Sequence, residues 1–138
     1  MPQFNEIIGV FCNLKSKPIN DIHNYSILNN LNTMKPSIFV HHVLFYLKNP
    51  NSENDQQKLL EGLQLLTQIE CIQLSHIGTP ANTNRSVIDR NYTYSWLCFF
   101  ESAEQEEIYQ KHPLHDEFRN NYAHLWEKVV IYDSITAL

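Results

Sequence analysis

The chain has 138 residues, 43% hydrophobic and 18% charged, which fits one soluble globular domain. Ten Lys and Arg against fifteen Asp and Glu give a net charge of −5, which argues against a phosphate-tracking surface and a nucleic-acid partner. No apolar run reaches the roughly 20 residues that span a bilayer, so no membrane partner is expected. The N-terminus lacks the basic start and small-residue cleavage site of a signal peptide. Three cysteines at unrelated spacings argue against a disulfide framework and for a reducing, cytoplasmic setting.

Residues 1–36 differ from the rest. They are rich in asparagine (Asn5, Asn13, Asn20, Asn24, Asn29, Asn30, Asn32) and show no sustained period of 2 or 3.6. Asparagine side chains bond to nearby backbone and favour turns over regular elements. The segment reads as an extension, flexible or docked, ahead of a domain at 37–138. The alternative reading starts the natural chain at Met34.

Ile38–Leu47 is a run of β-branched, aromatic and aliphatic residues, predicted as a strand. Lys48-Asn49-Pro50 breaks it. Ser52 or Asn54 then caps a predicted helix over 53–68, with Glu53 and Asp55 at the positive end of its dipole. Leu59, Leu60, Leu63, Leu66 and Ile69 form its apolar face. A second strand is predicted over Cys71–Gly78, a polar loop over 79–86, and a third strand over Tyr92–Phe100. Ser102 and Gln105 have the spacing of a capping box for a helix at 103–111. Pro113 ends that helix, because its ring would clash with the carbonyl of Tyr109, yet it suits the first position of a new one. A helix over 113–126 follows, with Leu114, Phe118, Tyr122 and Leu125 on one face. Val129–Tyr132 is the last predicted strand.

This βαββαβ order predicts an α+β fold in which one sheet carries helices on one face only. The other face is left with aromatics and aliphatics that need a cover. A second copy is the commonest cover, so the expected partner is a homodimer formed through the open sheet face.

Three segments resemble the stress-responsive dimeric A/B barrel (Dabb) family: His41–Lys48, Tyr92–Ser102 and above all Tyr109-Gln110-Lys111-His112-Pro113-Leu114-His115. The closing Trp126–Asp133 is similar to that family as well, so the resemblance spans about residues 38–135. It implies a ferredoxin-like protomer with a four-stranded antiparallel sheet, paired with a partner's sheet as a dimeric α/β barrel. The family includes heat-stable plant proteins of unsettled activity and the plant olivetolic acid cyclase, which closes a linear polyketide by aldol condensation. Matched to the cyclase pattern, Tyr109 takes the place of the helical tyrosine, His115 of the catalytic histidine and His41 of the first-strand histidine. Tyr94 stands where the cyclase has a further histidine, which counts against that particular activity.

Two functional readings follow. In the first, the chain is a small-molecule-binding or stress-associated dimer. In the second it is an enzyme of enolate chemistry, cyclase-, isomerase- or decarboxylase-like, acting on a small aromatic or polyketide-like acid. A neutral imidazole at His115 would remove a proton alpha to a carbonyl, while the phenol of Tyr109 donates to the developing enolate oxygen. For His41, on a strand face shared with Phe39, Val43, Phe45 and Leu47, a hydrogen-bonded core role is the commoner outcome; His42 points the other way. Metal-free oxygenation rests on fold analogy alone. His112, His115 and Asp116 fall short of the ligand set of a closed zinc site, so neither metal nor cofactor is expected.

Limited proteolysis is expected to cut ahead of Ser37 and leave the remainder intact; protection throughout the chain would refute a separate extension.

Overall fold

The computed structural model describes residues 37–137; the predicted extension at 1–36 lies outside the described residues. Strands β1 (Phe39–Leu47), β2 (Leu74–Gly78), β3 (Tyr94–Phe100) and β4 (Trp126–Ile135) form one sheet in the order β2-β3-β1-β4. All three pairings are antiparallel. Helices α1 (Glu53–Leu66), α2 (Ala103–Gln110) and α3 (Pro113–Tyr122) complete the ferredoxin-like α+β protomer, and a 3-10 turn (Ala123–Leu125) leads into β4.

Alternation along the strands sorts the two faces. Val43, Phe45 and Leu47 of β1 and Tyr94, Trp96, Cys98 and Phe100 of β3 are buried against Leu59, Leu63, Leu66, Tyr109 and Phe118 of the helices. The intervening residues Val40, His42, Leu44 and Tyr46 of β1 and Ser95, Leu97 and Phe99 of β3 are only half-buried and lie on the opposite face. The register adds Val130 and Tyr132 of β4 and Leu74 and His76 of β2 to that face. Helices thus cover one side of the sheet, as the element order predicts.

The helix starts follow from local chemistry. Ser52 accepts from the Asp55 amide (3.2 Å) and Ser102 from the Gln105 amide (3.4 Å). Each satisfies one donor that a helix start leaves without an intrahelical partner. At α3 the cap is His112, whose Nδ1 accepts from the Leu114 amide at 3.1 Å, with Pro113 at the first helical position.

Several predicted boundaries shift. Strand β2 begins at Leu74 rather than Cys71, because successive turn bonds (Ile69 N to Leu66 O, Ile72 N to Ile69 O) prolong the exit from α1. Strand β3 begins at Tyr94 rather than Tyr92. The helix predicted to reach residue 126 ends at Tyr122, and the Lys48 amide binds the Leu125 carbonyl at 3.0 Å, tying the 3-10 turn to the end of β1. The largest change is β4, which pairs with β1 from Trp126↔Leu47 to Ile135↔Phe39 instead of spanning four residues. As an edge strand it carries Glu127, Lys128 and Asp133. Those charges interrupt the apolar pattern on which a strand is read from sequence.

Gly62 sits where α1 crosses α3. A Cβ there would lie 2.7 Å from Tyr122 Cδ2 and 3.0 Å from Phe118 Cδ2. Gly62→Ala gains about 1 kcal/mol of helix propensity. It also forces two helices apart, at the roughly 1–3 kcal/mol typical of overpacking. A net loss of stability is expected in urea unfolding, against the gain that propensity alone would give.

Candidate functional site

The break at Pro113 positions the site. In one continuous helix, residues six apart point about 120° away from each other. Tyr109, near the end of α2, and His115, in the first turn of α3, instead meet with ring centroids 4.7 Å apart. Together with His41 they line a cavity of about 200 Å³ between the sheet and the helices. Its walls include Phe45, Trp96, Phe118 and Trp126, and Gln110 and Arg119 add polar groups. Val129 and Ile131 line it from β4 while remaining 37% and 50% exposed, which places its opening beside the edge strand.

Tyr109 is 1% exposed, and its hydroxyl oxygen accepts from the indole N–H of Trp96 at 3.0 Å. That bond leaves the phenolic proton free to be donated into the cavity. Burial pushes the Tyr109 pKa well up, with the Cys98 thiol adding to the effect, so the phenol stays protonated.

His115 is buried, and its Nδ1 has no partner at full hydrogen-bond geometry among the described residues, although the Gln110 backbone lies close enough to favour the protonated ring. Its pKa is lowered to about 4, first by desolvation, then by the nearby positive charge of Arg119 and by His41. The ring is therefore neutral at physiological pH. A buried polar nitrogen with no partner is costly, on the order of 1–3 kcal/mol.

His41 is 3% exposed, and its Nδ1–H donates to Asp133 Oδ1 at 2.7 Å; Glu106 Oε1 lies 3.9 Å away. A carboxylate can only accept, so Nδ1 carries a proton, and in a neutral ring Nε2 is then the acceptor. The ring is hydrogen-bonded and buried, and it also lines the cavity 5.8 Å (ring centroids) from Tyr109.

Tyr94 does not join this group. It is buried in the core opposite Phe45 and is absent from the cavity wall. His112 serves as the α3 cap, with Nε2 3.5 Å from Glu70. Among the described residues, no group of three or more His, Cys, Asp and Glu is placed to hold a metal. Burial raises the Cys98 thiol far above its usual range, so it offers no thiolate. Asp133, the hydrogen-bond partner of His41, is the neighbour of the candidate site that the sequence reading missed. Its signal was alternation: Val129, Ile131 and Asp133 share one face of β4, and the register sets Asp133 opposite His41.

The family profile described as Stress responsive A/B Barrel Domain matches residues 39–136, most of the chain. The chain belongs to the Dabb family. Solved structures agree on the fold. A Dabb family protein with a ferredoxin-like fold from Mesorhizobium loti superposes with a TM-score of 0.62 at 19% identity, over 74% of this chain and 99% of its own. A dimeric ferredoxin-like protein of unknown function from Thermobifida fusca gives 0.60 at 15% identity, over 75% and 94%. A hydroxynitrile lyase from Passiflora edulis gives 0.61 at 22% identity, over 74% and 95%. Comparison with curated proteins gives no match. No helix among the described residues of this Dabb chain is long and apolar enough to cross a membrane.

The neutral His115 has a measurable consequence. Its folded-state pKa of about 4 lies below the ordinary histidine value of 6.5. The unfolded chain therefore takes up more protons between those values, and stability falls as pH drops from 6.5 toward 4. The drop is expected to be smaller by on the order of 2 kcal/mol in His115→Gln, as read by urea midpoints across that pH range.

Proposed function

We propose that this Dabb protein acts as a homodimer that binds a single-ring organic molecule in the cavity lined by His41, Tyr109 and His115. The observation that supports the reading is the meeting of a neutral, buried His115 with the Tyr109 ring and with His41 in the wall of one cavity. A void of about 200 Å³ suits one ring with small substituents, since an apolar cavity of about 150 Å³ holds benzene. A longer polyketide-like tail would have to leave past Val129 and Ile131. The dimer is supported by neighbours of this fold described as dimeric, from Thermobifida fusca, Bacteroides fragilis and Jannaschia. The apolar sheet face opposite the helices is the surface we assign to it.

The same geometry favours a second reading, enolate chemistry. Neutral His115 takes a proton alpha to a carbonyl, and Tyr109 donates its hydroxyl proton in a hydrogen bond to the oxygen where charge develops. Negative charge on that oxygen raises the proton affinity of His115, offsetting the desolvation that depresses it in the empty site. His41, held by Asp133, presents Nε2 as a second acceptor for a substrate hydroxyl.

A thermal-shift screen of substituted phenols, aromatic aldehydes and aromatic acids tests the binding reading. A ligand at a hundredfold excess over Kd stabilises the native state by about 2.7 kcal/mol. At least one single-ring compound is expected to raise Tm, with tenfold or greater loss of affinity in His115→Ala and Tyr109→Phe. Absence of any such ligand, or equal affinity in His115→Ala, would overturn the assignment.

A further inference from the structure

The sheet face opposite the cavity carries an unbalanced set of ionisable groups. His42 of β1, His76 of β2 and Lys128 of β4 lie on it by register, among Val40, Leu44, Leu97 and Phe99. Of the two strand carboxylates, Asp133 lies on the cavity side opposite His41, and Glu127 falls at the register shift between Lys128 and Trp126, at the Tyr46–Leu47 end of the sheet. From outside the strands, Asp89 of the β2–β3 connection and Tyr92 bear on Tyr46, toward one end of the face. Lys128 sits 4.7 Å above the same Tyr46 ring.

His42 is near the middle of this surface. Its Nε2 lies 2.9 Å from Ser95 Oγ, and its ring centroid is 6.4 Å from that of Tyr132. The charged and titratable groups that act on it are His76 on the same face and His41 behind it, and both oppose a positive charge. Burial opposes it more strongly still, holding the His42 pKa below the ordinary histidine value even in the single chain.

A second copy laid on this face brings the same histidines and lysine, and the register sets no carboxylate opposite His42. We propose that self-association through this face requires His42 to be neutral, which makes the homodimer acid-sensitive: it forms at neutral pH and separates on acidification. The inference rests on the homodimer reading above. Two half-buried imidazoles become fully desolvated on association, so protons must leave as the dimer forms. Association is then complete above the histidine range and is lost as pH falls through it.

Sedimentation velocity tests this. Kd is measured from pH 8 down to the lowest pH at which the far-UV circular dichroism is unchanged, for the wild-type chain and for His42→Gln. Gln stays neutral and keeps a hydrogen-bonding partner for Ser95; His42→Leu makes the same comparison should that variant fold poorly. Each His42 that sheds its proton contributes up to about tenfold in Kd per pH unit. The wild-type Kd is expected to rise at least tenfold toward acid while the variant's stays flat. A dimer whose Kd is independent of pH, or an equal rise in the variant, overturns the acid switch and leaves the dimer standing. A monomer at pH 8 in the wild-type chain overturns both.

Discussion

The register of β1 is the constraint on which the rest depends. This strand lies inside the sheet between β3 and β4, and both of its faces are in use. His41 faces the cavity and His42 faces the open side, one residue apart. Side chains alternate with a period of 2, so a slip of one residue would exchange them and drive Val43, Phe45 and Leu47 out of the core. The burial of those three residues therefore holds His41 beside Asp133 and Tyr109. Core packing sets the hydrophobic register, and the register sets the chemistry.

The three polar side chains at the centre of the cavity are held by different means and play different parts. Tyr109 is tethered through its oxygen by Trp96, so its proton can be offered only as a donor. His41 is oriented from behind by a carboxylate, the arrangement that fixes tautomer in many histidine sites. His115 has neither a side-chain tether nor a counter-charge that outweighs its burial. A donor, an oriented acceptor and a neutral imidazole converge on a space one ring wide. A filled core would place apolar atoms in that space and avoid the cost of an unsatisfied nitrogen.

Much of the fold was legible because apolar periodicity carried it. Leu59, Leu63 and Leu66 marked α1, the aromatic alternation of Tyr94, Trp96, Cys98 and Phe100 marked β3, and Pro113 marked the break between α2 and α3. The misread boundaries fall where periodicity gives way to tertiary pairing. Strand β4 was cut short at Tyr132 because its flanks carry charge, and pairing with β1, which a sequence does not display, extends it. The same cut concealed Asp133 and hence the carboxylate behind His41. The site residues Tyr109, His115 and His41 were named through resemblance and through the logic of the helix break, and the cavity brings those three together. Tyr94 was carried along by its strand position alone; its side chain packs into the core opposite Phe45 instead.

The two faces of the sheet are also linked electrostatically. A positive charge on His41 opposes protonation of His115 in the cavity and of His42 on the open face, as the lowered pKa of each reflects. His41 in turn is held by Asp133, which comes from the edge strand beside the cavity opening. An anionic or enolate-like ligand in the cavity favours protons there and relaxes none of the desolvation on the far side. A neutral ligand leaves both sides as they are. The common cause in both shifts is His41, on the one strand whose two faces line the cavity and the open side. The path is a single peptide unit between His41 and His42, short enough for the coupling to act without any change in backbone conformation.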